Sequence, residues 1–314
     1  MNNRENKYDH MILRAEDKAI NWYPGHMARA KRKLADQLSR VDVVVELCDA
    51  RIPRASRNPD LSDLVKNKKR LLILNKADLA DEAATRAWLA YYRSQGVDCM
   101  SFDSAKGRAK DVIARIEKAA SEAVAKMAAK GVKKTVRVMI VGVPNVGKST
   151  FTNKVNGASI AKTGDRPGVT RSNQWVRITP YLELLDTPGL LWPKLDNQED
   201  ARALAFVGTI NDQVMDQQML AVRLLETMMT LKKDAAVARF KIKNAEATDV
   251  ELLCEACRGR GWLMPGGVLD TDRGSAVVLD EFRAGKLGRL TLQHAPQKKP
   301  AEKIESVPAK ESDE

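Results

Sequence analysis

The sequence contains no run approaching the roughly 18 consecutive apolar residues that a membrane-spanning helix needs, so no part of it is expected to cross a bilayer. Cysteine is sparse: Cys48, Cys99, Cys254 and Cys257 are four in 314 residues, too few for a disulfide framework, and they read as reduced thiols. Cys254 and Cys257 form a C-x-x-C, but no second ligand pair or nearby histidine completes a tetrahedral zinc site. Both are expected on a helix, with one of them buried. Histidine is scarcer still, with three in the chain. Residues 1–18 have no apolar core and mix Arg4, Lys7 and Arg14 with Glu5, Asp9, Glu16 and Asp17, which fits neither a signal peptide nor an acid-poor transit peptide. A cytoplasmic protein is expected.

What is present is positive charge. A net charge of +12 and a pI near 9.5 suit a polyanionic partner, because each Lys or Arg that neutralises a phosphate releases counterion. Charge alone does not choose between RNA, DNA and anionic lipid. With 44% apolar residues the chain is long enough for one ordinary core and a smaller second domain.

From Val41 to about Leu185, β-branched apolar runs alternate with helical stretches, the pattern of a parallel sheet covered by helices. The strand candidates are 41–47, 70–74, 97–102, 136–141 and 182–185. Residues 81–95 and 108–130 read as helices, the second stopping at Gly131. From Gln198 onward strand signals disappear, and 217–233, 248–257 and 270–284 are helix-like. The last of these starts at an Asp270-Thr271 cap, turns Val278, Leu279 and Phe282 inward and stops at Gly285.

Gly142-Val-Pro144-Asn145-Val146-Gly147-Lys148-Ser149-Thr150 follows an apolar strand and opens a helical segment, the context a P-loop requires. Its glycines let backbone N–H groups approach phosphates closely, and the helix adds its positive end. Lys148 would serve the β and γ phosphates, and the Ser149 hydroxyl would bind Mg²⁺. Asp186-Thr-Pro-Gly189 follows a second apolar strand, so Asp186 would hold the metal through water and the Gly189 N–H would face the γ-phosphate. Between them, Thr170 of Arg166-Pro-Gly-Val-Thr170 is the candidate second hydroxyl ligand and a mobile switch.

Asn75-Lys76-Ala-Asp78 also follows a strand. A carboxylate at Asp78 accepts two hydrogen bonds from guanine N1–H and the 2-amino group, donors that adenine lacks there. Lys76 would lie over the ring, Asn75 would brace the loop, and in Ser104-Ala105-Lys106 the Ala105 N–H would meet guanine O6. In Ras-like GTPases the P-loop comes first and the base-reading motifs last; here that order is reversed. Circular permutation preserves strand neighbours and cuts one surface loop, so the same sheet can still close.

On these motifs, and on Trp22-Tyr-Pro-Gly-His26-Met27, Asp49-Ala-Arg-Ile-Pro53 and Phe282-Arg-Ala-Gly-Lys-Leu-Gly-Arg-Leu290, the chain resembles the circularly permuted GTPases from Asn21 to Leu292. The resemblance implies an α/β fold, a P-loop GTPase sheet (a circularly permuted Ras-like G domain) followed by a smaller all-α domain. It divides the chain into an N-terminal extension 1–20, a G domain 21–195, a helical domain 196–293 that is the RNA-binding candidate, and a disordered tail 294–314. It also implies GTP and GDP as ligands, Mg²⁺ as cofactor, and maturation of the large ribosomal subunit through its rRNA and proteins. A monomer with no membrane or DNA partner is expected.

Ras-like enzymes carry a water-orienting glutamine after Asp-x-x-Gly, where this chain has Leu190. Slow intrinsic hydrolysis, stimulated by the ribosomal subunit, is therefore expected, with Lys148 and Thr170 assisting. His26 matches the family's candidate catalytic histidine, and an imidazole of pKa about 6.5 can orient water once it swings inward. Asn145 is the candidate ligand of a K⁺ ion between the phosphates. Arg29, Lys31, Arg32 and Lys33, on a helix that would pack Met27, Ala30, Leu34 and Leu38 inward, are candidates to face RNA, as are Lys286 and Arg289. Two other readings stay open: a GTP-dependent RNA-binding scaffold with little hydrolysis, to which Leu190 gives weight, and a GTPase of the small subunit. Relatives of the second kind carry an OB-fold or zinc-binding cysteine clusters that this chain lacks. A DNA- or membrane-associated GTPase suits the charge but has neither a groove-reading motif nor an amphipathic anchor.

Overall fold

The computed structural model describes residues 34, 36–59, 61–157, 174–179, 181–186, 197–210 and 216–296. One six-stranded sheet is formed by β1 (Val43–Asp49), β2 (Lys69–Asn75), β3 (Cys99–Ser101), β4 (Val136–Gly142), β5 (Gln174–Thr179) and β6 (Leu182–Asp186), in the order β3-β2-β1-β4-β6-β5. All neighbours are parallel except β5, which runs antiparallel to β6. The five expected strands are all present. Strand β5 was not expected, because its alternating Trp175, Val176, Arg177 and Ile178 lie at the sheet edge and lack the continuous apolar run of a covered strand. By contrast β1, Val-Val-Val-Glu-Leu-Cys-Asp, is buried along its whole length and sits at the centre.

Helices α1 (Leu61–Leu64), α2 (Glu82–Ser94), α3 (Ala109–Ala128) and α4 (Lys148–Asn156) belong to the sheet region. The Asp81 carboxylate caps α2 by accepting from the Ala84 N–H, and Gly131, at φ 72°, lies beyond the end of α3. Four more follow: α5 (Gln198–Phe206), α6 (Gln217–Phe240), α7 (Asp249–Arg260) and α8 (Thr271–Arg283). Sequence pattern ends α6 at Lys233. The backbone does leave helical geometry at Lys232 (φ −149°, ψ 58°), but the helix resumes because Ala236 and Phe240 have core to fill. Asp270 caps α8 and Val278, Leu279 and Phe282 are buried, as expected. Cys254 and Cys257 both lie on α7, Cys257 buried and Cys254 partly so, and burial pushes the Cys257 thiol up to about 12. Among the described residues no group of histidine, cysteine and carboxylate side chains could hold a metal, and no helix is long and apolar enough to cross a membrane.

One continuous apolar core runs from Val45 and Leu47 of the sheet through Leu204 and Leu224 to Leu279 and Phe282. The other sheet face is covered by Leu34 and Leu38 against Val44, Met139 and Leu185. Both leucines therefore pack inward as expected, while Met27 and Ala30 lie outside the described residues. Packing continues past Leu292, with the Gln293 carbonyl accepting from the Trp88 indole N–H (2.8 Å) and Ala295 packed against the same cluster; residues 297–314 of the expected tail lie outside the described residues. Polar composition there concealed a segment held by hydrogen bonds to the sheet region.

Candidate functional site

In an open parallel sheet, ligands bind at the carboxyl ends of the strands, where the connections diverge to the two sides. Here β1 has β2 on one side and β4 on the other. Asp49, Asn75 and Gly142 thus end three adjacent strands, and their loops converge.

The loop after β4 has the geometry of a phosphate cradle. A Cβ on Gly142 would lie 2.5 Å from the Leu47 carbonyl oxygen, and Gly147 adopts φ 96° with its α-carbon against the Asn75 amide. Asn145 is also left-handed, at φ 59°. Gly147 leads directly into α4, whose first residues are Lys148 and Ser149. Lys148 is buried, and its ammonium donates to the carbonyls of Gly142 (3.1 Å) and Val143 (2.9 Å). Ser149 is half-buried on the first turn. Asp186 ends β6, paired in register with Ile140 of β4, so the Asp-Thr-Pro-Gly motif begins beside the cradle. The serine hydroxyl on the first turn of α4 and the aspartate that ends β6 are residue types with hard oxygen donors, which suit Mg²⁺. Thr170, Gly189, Leu190, His26, Arg29, Lys31, Arg32 and Lys33 lie outside the described residues.

The base-reading loops join the cradle through Asn75. Its buried amide donates to the Val146 carbonyl (2.8 Å), and its carbonyl accepts from the Ser104 hydroxyl (2.6 Å), so one side chain spans three motifs. Replacing Asn75 with Ala should therefore cost about 1–3 kcal/mol by leaving buried partners unmade. Thermal melting with and without GDP would show a lower midpoint and a smaller nucleotide-induced rise. Lys76, at φ 56°, donates to the Asn145 carbonyl (2.6 Å). Asp78 is exposed at the mouth. The Ala105 N–H, expected to face guanine O6, instead donates to Asp103 Oδ1 (2.8 Å), which also accepts from the Lys106 N–H (3.1 Å). Lys154 of α4 holds the Ala105 carbonyl from the other side (3.0 Å).

Sequence reading assigned no role to Asp49, Arg51, Gly208 or Arg283, which connect this site to the helices. Asp49 accepts both arms of Arg51 (2.9 and 2.8 Å) and pairs with Lys76 (3.2 Å). Burial alone would raise the Asp49 carboxyl, but Arg51 and Lys76 outweigh it and hold it well below the usual carboxylate range. Burial in turn lowers the Lys76 ammonium, opposed by Asp49. Arg51 reaches on to the Phe282 and Arg283 carbonyls at the end of α8 (3.4 and 3.3 Å) and lies over the Phe282 ring. Arg283 then donates to the Phe206 and Ala205 carbonyls closing α5 (3.1 and 3.0 Å). Next in the chain, the Gly208 carbonyl accepts from the Asn145 amide and the Thr209 hydroxyl donates to the Pro144 carbonyl (3.1 Å). The circuit starts and ends at the P-loop. Arg289, an expected RNA contact, has its fork on the Ala80 and Ala77 carbonyls (2.8 and 2.9 Å), bracing the base loop, and both Arg289 and Lys286 are exposed.

A P-loop after β4, a base-reading motif after β2 on the other side of the central strand β1, and the reversed order of both along the chain define a circularly permuted P-loop GTPase. The family model described as "50S ribosome-binding GTPase" matches residues 137–251. The chain is 42% identical to the ribosome biogenesis GTPase A of Bacillus cereus over 294 residues, covering 92% of this chain and 99% of that one. It is 34% identical to the mitochondrial ribosome-associated GTPase 1 of Xenopus tropicalis, covering 76% and 79%. The crystal structure of GNP-bound YlqF from Thermotoga maritima superposes with a TM-score of 0.63 at 28% identity, covering 85% of this chain and 98% of that one. The chain belongs to the ribosome biogenesis GTPase A family and is a GTP-hydrolysing enzyme.

Proposed function

We propose that this GTPase is a switch for late assembly of the large ribosomal subunit, in which bound GTP sets an rRNA-binding arrangement of the sheet and helical regions and hydrolysis releases it. The observation that carries the reading is the direct bonding of the P-loop to the start of the helical region, from Asn145 to Gly208 and from Thr209 to Pro144. A ligand that displaces P-loop groups acts on those bonds without an intermediary. The names of the relatives support the ribosome as partner, and that of the matching family model supports the large subunit.

In this reading the Lys148 ammonium leaves the Gly142 and Val143 carbonyls for the β and γ phosphates, and the P-loop N–H groups hold the α and β phosphates. Ser149, Thr170 and, through water, Asp186 would hold Mg²⁺, which would supply positive charge to the phosphates. Asp78 and the Ala105 N–H select guanine, the latter after exchange from Asp103. With its Nδ2 on Gly208, Asn145 keeps Oδ1 for a K⁺ ion. His26 orients the attacking water once the subunit turns it inward, and Lys286 with the basic run from Arg29 to Lys33 meets rRNA.

The test is GTP turnover by the purified protein with and without large ribosomal subunits, in KCl and in NaCl, beside His26→Ala. Turnover should rise with subunits and with K⁺, and the subunit effect should disappear in the variant. Turnover indifferent to large subunits would overturn the assembly switch. Stimulation surviving in the variant would remove His26 from the mechanism.

A further inference from the structure

Strand β5 places an aromatic and basic surface at the sheet edge that neither nucleotide binding nor folding uses. Trp175 and Tyr181 are 39% and 58% exposed, among the few large apolar side chains so placed in the described residues. A tryptophan left half in water forgoes much of the stabilisation its area would bring in a core. Its position is nevertheless organised. The Arg137 guanidinium lies over the Trp175 ring, 5.4 Å from its centroid, and Arg137 and Arg177 flank Glu183 across three strands (3.5 and 3.6 Å). Register alternation puts these groups on one face: Trp175 pairs with Leu185, and Arg177 and Arg137 both pair with Glu183. Tyr181 lies in the turn before β6, four residue steps from Leu185, roughly 13 Å away at strand spacing. Lys133 and Lys134 enter β4 beside it, Lys134 held by Asp42 (2.9 Å).

We propose that this edge is a binding platform for single-stranded RNA, with bases stacking on Trp175 and Tyr181 and phosphates meeting Arg137, Arg177 and Lys133. The inference rests on the reading above that rRNA is a partner, and adds a site on the sheet region to the helical candidates. Two observations favour RNA over a protein strand adding to the edge. Among the described residues cations outnumber carboxylates on this surface, four (Lys133, Lys134, Arg137, Arg177) to two (Asp42, Glu183), and two aromatic faces lie among them, the combination that binds unpaired nucleic acid without reading its sequence. The β5–β6 register also shifts between Arg177 and Thr179, an irregularity that breaks the ladder an added strand would extend.

The experiment is fluorescence anisotropy of a labelled single-stranded oligonucleotide and a matched RNA duplex with the full chain, its Trp175→Ala, Trp175→Phe and Arg177→Glu variants, and large subunits pelleted with each. Trp175→Ala should weaken single-strand binding roughly 5- to 100-fold, Trp175→Phe should recover most of it, and Arg177→Glu should weaken binding and flatten its salt dependence. Basal GTP turnover should stay unchanged in all three and the melting temperature in the two Trp175 variants, whereas Arg177→Glu, which sets a carboxylate opposite Glu183, should lower the melting temperature slightly. Wild-type affinity for the single strand in Trp175→Ala, or no binding of the strand by the wild-type chain, overturns the platform. Variants that bind RNA normally but fail to pellet with subunits mean that a protein occupies the edge, which also overturns it. A wild-type chain that binds the oligonucleotide but not large subunits refutes the assembly role and leaves the platform standing.

Discussion

Asp78→Asn should lower affinity for GDP and GTP by about 100-fold or more while raising affinity for xanthosine diphosphate. Under the proposed base contact the carboxylate accepts from N1–H and the 2-amino group, and each hydrogen bond to a charged acceptor contributes roughly 1.5–3 kcal/mol. The variant keeps one acceptor and turns an amide N–H toward a donor, so both bonds are compromised; every 1.4 kcal/mol lost is about tenfold in affinity. Xanthine carries a carbonyl where guanine has its amino group, and the new amide can donate to it. Because Asp78 is exposed, stability should change by no more than about 0.5 kcal/mol. Titration with both diphosphates decides the matter: an equal loss for the two bases would mean that the loop had moved and that Asp78 does not read the base.

Arg51→Ala should destabilise the fold by about 3–5 kcal/mol, the usual consequence of removing one partner from a buried ion pair. The Arg51 side chain is 2% exposed and that of Asp49 1%, so the variant leaves a carboxylate shut from water with Lys76 as its remaining cation. It also strips the end of α8 of a donor, so loss of contact between the sheet and helical regions should accompany the loss of stability. Asp49 is a carboxylate whose folded pKa is depressed. Its stabilisation is present above the unfolded value of about 3.9 and is lost as pH falls through the lower folded value. In the variant the desolvation that raises this carboxyl is opposed less strongly. The gap in unfolding free energy between wild type and variant should therefore be widest near pH 7 and narrow below about pH 4, where protonation removes the buried charge. Urea denaturation at both pH values measures it; a gap independent of pH would mean that lost packing of the guanidinium over Phe282 outweighs the charge.

Much of the site was legible because its residues act through local sequence. The P-loop, Asn75-Lys-Ala-Asp78 and Asp186-Thr-Pro-Gly each follow an apolar strand, and strand ends are where a parallel sheet presents ligand-binding loops. Strand β5 was not legible, since an edge strand with one wet face carries half the apolar signal of a buried one. Helix α5 escaped for lack of length, and the true end of α6 because a break at Lys232 looks like a stop in a local window.

Local chemistry, the order of the motifs and the alternation of strand with helix were thus determined by the sequence alone, because strand periodicity, glycine geometry and capping depend on residues close together in the chain. Tertiary structure alone decided which side chains link the motifs. Arg51 to the end of α8, Arg283 to the end of α5 and Asn145 to Gly208 are contacts across 63 to 232 positions, and folding also brings the Arg289 fork onto the carbonyls of the base loop. A guanidinium or amide has the same composition whether it faces water, a phosphate or a distant carbonyl, and only folding brings the carbonyl within reach.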